Sequence, residues 1–324
     1  MATLLLERPP SPEPPRPERR VEGVIPVGGR ELRIQRRITL VMTLVPFAAV
    51  VWAAIALWGH GIGGVEAGIA TGFYLFTALG VTVGFHRYFT HKGFTAVQPV
   101  RTVMAVAGSM AVQGSIISWV AAHRRHHAYS DKPGDPHSPY LEFEGDGAPS
   151  ALKGLWHAHV GWLFQPEKTD VVRWAPDMVK DPMVAAVDRA FQWLVLASFL
   201  LPAVLGYAIT GTWHGAWGAF LWGSLVRIFL LHHVTWSINS ICHFYGTKPY
   251  ESKDESRNNW MLSILSMGES WHNNHHAFPS AARHGIDRGQ VDISARVIQT
   301  MARLGWVTDV RTVDEAQREA KRRR

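Results

Sequence analysis

Four apolar runs of about twenty residues each punctuate an otherwise polar chain, and they predict transmembrane helices at about 38–58, 65–85, 190–209 and 215–234. A helix rises 1.5 Å per residue, so each run is close to the ~20 residues needed to cross a hydrocarbon layer. The chain is 47% hydrophobic with 14 Trp, and its average hydropathy near zero hides this segregation. The expected fold class is therefore an all-α integral membrane protein with a substantial water-facing part. Residues 1–30 contain PPSPEPPRPERR, too rich in proline for a helix and too polar for a core, and read as a disordered arm. Residues 31–310 form the body, and 311–324 a charged tail.

Lys and Arg set the orientation. The short linkers 59–64 and 210–214 contain neither, whereas Arg33, Arg36 and Arg37 precede the first run and the block 86–189 is rich in both. The positive-inside rule then puts both termini and the long block in the cytoplasm, with a cap built from 86–189 and 235–310. Trp58, Trp213 and Trp217 flank the outer linkers as an aromatic belt would. The net charge of +7 reads as topology and attraction to anionic lipid, and no motif points to nucleic acid. The single Cys242 excludes an intrachain disulfide and a cysteine-held iron–sulfur cluster.

Two copies of one histidine pattern lie in the cytoplasmic parts: HRRHH with His123, His126 and His127, and HNNHH with His272, His275 and His276. Spacing i, i+3, i+4 puts three imidazoles on one helical face, as a metal held between two helices requires. A third pattern pairs His86 with His91 at i, i+5, about 140° apart on an ideal helix, so a helix is expected to end between them. Helix continuing beyond the fourth run would raise His243 some 15–20 Å past Leu231, with Asn239 on the same face. Keeping these groups on one side requires 100–122, apolar enough to suggest a fifth span, not to cross. It is expected to be a buried or interfacial helix, or a re-entrant hairpin. Nine histidines exceed the needs of one tetrahedral ion and suit a dimetal site, for which softness alone admits Fe, Zn, Cu or Ni. Asp135 and Glu269 are placed to accept the second ring N–H of ligand histidines, although turn or helix-surface roles account for them equally. His137, His157 and His159 read as structural groups, and His60, His214, His232 and His233 as non-ligands.

The stretches GVTVGFHRYFTH, SWVAAHRRHHAYSDKPGDPHSP, GLWHAHVGWLF, TWSINSICHFYG and GESWHNNHHAFP resemble, in order and spacing, the membrane-bound fatty acyl desaturases, most closely the stearoyl-CoA (delta-9) group. The resemblance implies four transmembrane helices under a cytoplasmic helical cap with a histidine-ligated di-iron centre, and O2 as co-substrate. His86, His91, His123, His126, His127, His243, His272, His275 and His276 would be ligands, with Asn239 reaching iron through water. Zinc loaded during overexpression is an expected artefact. Tyr74, Ala78 and Trp119 match positions along the acyl tunnel, though helix packing explains the first two as readily. Two departures are visible: Ser270 replaces a family glycine, and the insertion 142–150 is longer than expected.

Removing hydrogen from unactivated methylenes demands an oxidant that no side chain supplies, which is why a metal cofactor is implied. The sequence contains no glycine-rich dinucleotide fingerprint and no heme-binding HPGG segment, so electrons are expected from a separate reductase, ferredoxin or cytochrome b5-like donor. The substrate implied is an acyl-CoA or acyl lipid. Runner-up readings are a membrane di-iron hydroxylase or ketolase and a non-catalytic metal-binding membrane protein. The last is disfavoured because Arg227 stands almost alone as an ionisable residue within the spans.

Overall fold

The apolar runs become long helices that begin or end beyond the runs themselves. In the computed structural model, which describes residues 21–56, 58, 61–140 and 151–323, α1 covers Gly29–Ala56 and α2 covers Gly64–Leu79. A π-helix, Gly80–Thr90, continues α2 without interruption. Then come α9 (Phe191–Thr210) and α10 (Trp213–Phe220), the latter running through a second π-turn, Leu221–Val226, into α11 (Arg227–Phe244). Among the described residues four spans are long and apolar enough to cross a membrane: Gly29–Ile55, Gly64–Thr90, Phe191–Thr210 and Trp213–Phe244.

The outer helices show what surrounds them. α1 and α9 expose Ile38, Leu44, Ile55, Trp193 and Val204, each more than half accessible. So large an apolar exterior suits lipid and would be an aggregation hazard in water. The second and fourth spans bury more than half of their most apolar windows and form the inner pair. Arg227 is buried there and does not snorkel: its guanidinium donates to the carbonyls of Gly223 (3.0 Å) and Ser198 (3.1 Å) and to Ser198 Oγ (2.8 Å). Backbone carbonyls thus take the place of an acid partner.

Residues 100–122 do not span. They fall in α3 (Gln98–Ser109) and α4 (Ile116–Tyr129), separated by a turn in which Val112 and Gly114 take positive φ. α3 lies against the π-helix through facing glycines, where a Cβ on Gly80 would sit 2.2 Å from the Gly108 nitrogen. This contact lets the helix carrying His86 approach a neighbour at backbone distance.

Shorter helices complete the cap: α5 (Ala151–His159), α6 (Val171–Trp174), α7 (Pro176–Lys180), α8 (Pro182–Arg189), α12 (His272–Ala277), α13 (Ile293–Arg303) and α14 (Glu315–Lys321). Their starts are encoded locally, since Asp170, Asp181, Asp292 and Asp314 each accept backbone N–H groups of the first turn. Phe85, Phe89, Ile116, Val120, Val184 and Ile298 are fully buried together, fastening the π-helix to α4, α8 and α13. At about 1.5–3 kcal/mol per buried side chain, this cluster is the main apolar attachment of the cap.

Two antiparallel strand pairs join distant segments: β1 (Val24–Pro26) with β3 (Glu167–Thr169), and β2 (Thr95–Ala96) with β4 (Val307–Thr308). The first pair corrects the expected arm at 1–30, because regular structure begins at Val24; residues 1–20 lie outside those described, as do the insertion 142–150 and His60. The charged tail is also docked rather than trailing. Lys321 Nζ donates to the Ala277 carbonyl (2.6 Å), and Glu251 N–H to the Lys321 carbonyl (2.7 Å).

Candidate metal centre

The first histidine pair shows how local winding builds a site. The helix ends between His86 and His91, as their spacing predicts, but its last turns are a π-helix closing at Thr90, with His91 as the C-cap donating its N–H to the His86 carbonyl (3.2 Å). Residues five apart stack one turn above another in i→i+5 winding, which α geometry would splay. The two rings consequently lie 4.9 Å apart, centre to centre.

The second box sits on α4, where the i, i+3, i+4 rule holds. Its two intervening arginines point elsewhere: Arg124 bonds Asp177 Oδ1 (2.5 Å) and the Phe89 carbonyl (2.9 Å), and Arg125 bonds Glu167 (2.5 Å) and the Gly134 carbonyl (2.8 Å). These bonds clamp α4 to the π-helix and the cap. The third box, HNNHH, takes up five of the six residues of α12, whose position is fixed by its asparagines. Asn273 and Asn274 are fully buried and bond Tyr250, Asn258, His284 and Gln290. His243 is presented by the cap end of α11, as its predicted extension required.

All nine histidines meet, divided into two groups. His86, His91, His123, His127 and His275 form one; His126, His243, His272 and His276 form the other, with ligand-capable atoms in each within 4.8 Å of one another. Nε2 atoms face inward: His86 and His275 at 3.0 Å, His275 and His127 at 2.9 Å, His127 and His123 at 3.1 Å, and His243 and His272 at 3.0 Å. Two nitrogens about 2.1 Å from one ion and at right angles to each other are about 3.0 Å apart, so these spacings match shared coordination.

Protons do not account for the same contacts. His86, His126, His243 and His276 each donate Nδ1–H to a carboxylate, respectively Glu269, Asp135 (2.9 Å), Asp131 (2.9 Å) and Asp254 (2.6 Å). In a neutral ring this leaves a lone pair on Nε2, turned toward the group's centre. His275 Nε2 then faces two neighbours, which one N–H direction cannot serve, and Nε2 of His91 and of His276 is buried with no partner. A cation between the lone pairs satisfies all of them.

Electrostatics agrees. Burial first, then the charge of neighbouring imidazoles, pushes His91, His123, His127, His272 and His275 well below the usual histidine range; His276, despite Asp254, is pushed down to about 4. The rings are held neutral, as metal ligands must be. Burial alone would raise Asp135 and Asp254, but His126 and His276 respectively hold them below the carboxylate range. Around the histidines, the carboxylates of Glu269, Asp292, Asp131, Asp135 and Asp254 are opposed by the guanidinium of Arg87, leaving four net negative charges in a buried shell. Two divalent ions cancel that charge. The donor set therefore fits a pair of metal ions.

Four partners of this shell had no clear signal in the sequence. Asp131 and Asp254 orient His243 and His276 across 112 and 22 residues. Arg87, wholly buried, joins Glu269 (2.9 Å) to Asp292 (3.0 Å). His284 is fully buried with its Nδ1 3.5 Å from Glu269 Oε2 and its ring 4.5 Å from that of His275. It forms a further metal-capable trio with His86 and Glu269. Its one sequence signal is that it follows the third box within ten residues. Of the other histidines, His137 packs on His126, and His159 Nε2 lies 3.0 Å from His233 Nδ1. His232 donates to the Ala111 carbonyl (3.0 Å), and His157 is buried. His214 lies in α10, far in sequence from either group.

An apolar cavity leads away from the histidines. Ala78, Val81, Leu231, Val234 and Ile238 line it, with Trp119, His86, His123, His272 and Asn239 at its head. Trp119 stacks on His123 at 5.0 Å. Tyr74 packs beside Ala78 and Leu231, and donates its hydroxyl to the Leu265 carbonyl (2.7 Å). Its lining is apolar along most of its length and polar only beside the histidines, which suits an extended apolar ligand.

Comparison with known proteins places the chain. The profile named Fatty acid desaturase matches residues 64–296. A hex-5-enoyl-[acyl-carrier protein] acetylenase of Moorena producens (strain JHB) is 40% identical over 289 residues, covering 89% of this chain and 90% of that one. An sn-1 stearoyl-lipid 9-desaturase of Anabaena variabilis is 36% identical over 253 residues, 77% of this chain and 85% of its own. An acyl-CoA C20 delta5-desaturase of Anemone leveillei is 36% identical over 240 residues, 73% and 70% respectively. A profile match across both histidine groups and the cavity, with relatives alike over most of their length, leaves one placement: the chain belongs to the fatty acid desaturase family.

Proposed function

We propose that the chain is an O2-dependent di-iron desaturase that introduces a cis double bond, at carbon 9, into a saturated acyl chain using two external electrons. The observation that carries this reading is the pair of histidine groups at the head of an apolar cavity. All nine histidines are proposed as iron ligands, with Asn239 acting through water. Iron, when bound, supplies the oxidising power that unactivated methylenes require.

The protein's own part is placement. Ala78, Val81 and Leu231 take the alkyl chain out of water, while Trp119, stacked on His123, fixes the chain where the two groups meet. Holding two adjacent carbons in a single orientation selects both position and geometry of the new bond. The four carboxylates behind His86, His126, His243 and His276 keep those rings in the ligating tautomer.

The names of relatives include lipid, CoA and acyl-carrier-protein substrates, so the stearoyl-CoA group has no special claim. Charge flanking the first span supports a site on the cytoplasmic side, and a separate electron donor would dock there. The test is reconstitution with a reducing system, O2 and a C16 or C18 saturated chain presented as lipid, CoA or carrier-protein ester. Mass spectrometry should find an O2-dependent alkene at one position. Loss of product from every carrier, with iron at two per chain, would reject the proposal; an alcohol instead of an alkene would favour a hydroxylase.

A further inference from the structure

One segment beside the cavity is apolar on its outside. Residues 260–265, Trp-Met-Leu-Ser-Ile-Leu, expose Trp260 (73%), Met261 (66%), Ile264 (62%) and Leu265 (43%), although they belong to no spanning helix. No charged side chain lies between Arg257 and Glu269. The backbone there is a single 3-10 turn, Trp260–Leu262, followed by further turns.

Its depth follows from one hydrogen bond. The Leu265 carbonyl accepts from Tyr74 Oη (2.7 Å), and Tyr74 stands ten residues into the span that begins at Gly64. Ten helical residues rise about 15 Å, which is half of a hydrocarbon layer about 30 Å thick. The 16 residues of α2 rise about 24 Å and the π-helix that follows extends further, so the histidine end of the span projects beyond the hydrocarbon while the level of Tyr74 stays within it. The segment bonded to Tyr74 is thus at membrane depth.

In hydrocarbon each backbone polar group needs a partner within the protein. The carbonyls of Leu262, Ser263, Ile264 and Leu265 have one. Ser266 N–H bonds the Leu262 carbonyl (2.9 Å), Met267 N–H that of Ile264 (3.1 Å), Gly268 N–H that of Ser263 (2.8 Å), and Asn259 Oδ1 caps Met261 N–H (3.1 Å). Leu265 and Ser266 line the cavity that ends at the histidines, and Leu265 is also half open on the outside. Leu265 thus faces both the cavity and the exterior.

We propose that residues 260–265 lie in the bilayer hydrocarbon and form the wall through which an acyl chain, still esterified in a membrane lipid, passes laterally into the cavity. The substrate class is then a bilayer-resident acyl lipid, whose headgroup stays at the interface while one chain enters sideways. The substrate half of this proposal rests on the desaturase reading; the membrane location of the segment does not.

The test uses the full chain reconstituted in phosphatidylcholine vesicles. Ile264→Cys carries a bimane fluorophore, buried Cys242 staying unlabelled, and Arg303→Cys on exposed α13 is the aqueous control. Lipid bearing a nitroxide on its acyl chain should quench the first label at least about twofold while iodide has little effect, with the reverse at position 303. Quenching by iodide at 264 would overturn the proposal, as would protection from both quenchers, which indicates a second copy or another protein surface over the segment. In a second arm, Ile264→Glu should cut turnover of bilayer-held lipid about tenfold relative to the same chain presented as a micellar ester, with metal content unchanged. Equal loss with both substrates would overturn lateral entry. Absence of alkene from any carrier would reject the desaturase reading and the substrate half with it, while the quenching result would still decide where the segment lies.

Discussion

The two histidine groups differ in how they are held. Among the described residues, His86 is the one member of the group of five that rests on a carboxylate, Glu269; in the group of four, His126, His243 and His276 each have their own acid and His272 has none. The first group is built from number and packing, with rings 4.4–6.2 Å apart drawn from the π-helix, α4 and α12. The second is built from electrostatic support. An acid behind a ligand fixes its tautomer and raises its basicity, so the group of four should hold its ion more tightly and more rigidly. The group of five has fewer fixed rings and one acid that also serves Arg87.

The largest effect should come from removing one ring in each group. His275→Ala and His272→Ala should each abolish product, and bound iron, read by elemental analysis, should fall from two per chain toward one. Equal loss of both ions in both variants would mean the groups act as one unit. Next is Glu269→Gln, which leaves buried Arg87 with half its compensation and should lower stability by about 3–5 kcal/mol, read from thermal unfolding in detergent. Asp254→Asn should instead lower metal affinity about 10–100-fold, with a smaller change in melting temperature. If the two acid variants behave alike, the contrast between the groups fails.

Acid sharpens the same contrast. Folded-state values for His91, His123, His127, His272 and His275 lie well below 6.5, and that for His276 near 4, so below pH 6.5 the unfolded chain binds more protons than the folded one. Through these six histidines the stability of the metal-free protein should fall as pH drops from 6.5 toward 4, while His243, which Asp131 raises against the cost of burial, works in the opposite direction. Metal-loaded protein should lose ions over that window, the group of five first. The smallest effect is expected from Ala78→Phe, which fills the cavity below Trp119 and should shift product toward shorter chains without altering iron content. An unchanged product profile across acyl lengths would separate the cavity's depth from this wall.

The spans and the nine histidines could be read in advance because each leaves a repeating mark: twenty apolar residues in one case, i, i+3, i+4 spacing in the other. What escaped leaves none. The π-helix depends on an extra residue per turn, which side-chain periodicity does not announce, so nothing in the i, i+5 spacing placed His86 and His91 on one helical face. Asp131 and Asp254 reach their histidines through folding of distant segments, and a single acid in a loop has no spacing to recognise. His284 lies outside any box, and the apolar outside of residues 260–265 is shorter than any window suited to a span.

The contact between Lys321 and the end of α12 bears on when the centre can be completed. The last helical turn that carries His275 and His276 points its carbonyls at a cation supplied 44 residues later, which also sits over the Phe278 ring at 5.2 Å. Ribosomal synthesis has to pass residue 321 before that turn gains its cap. By then every span and every histidine of the two groups has been synthesised, so this cap is among the last contacts that the centre gains.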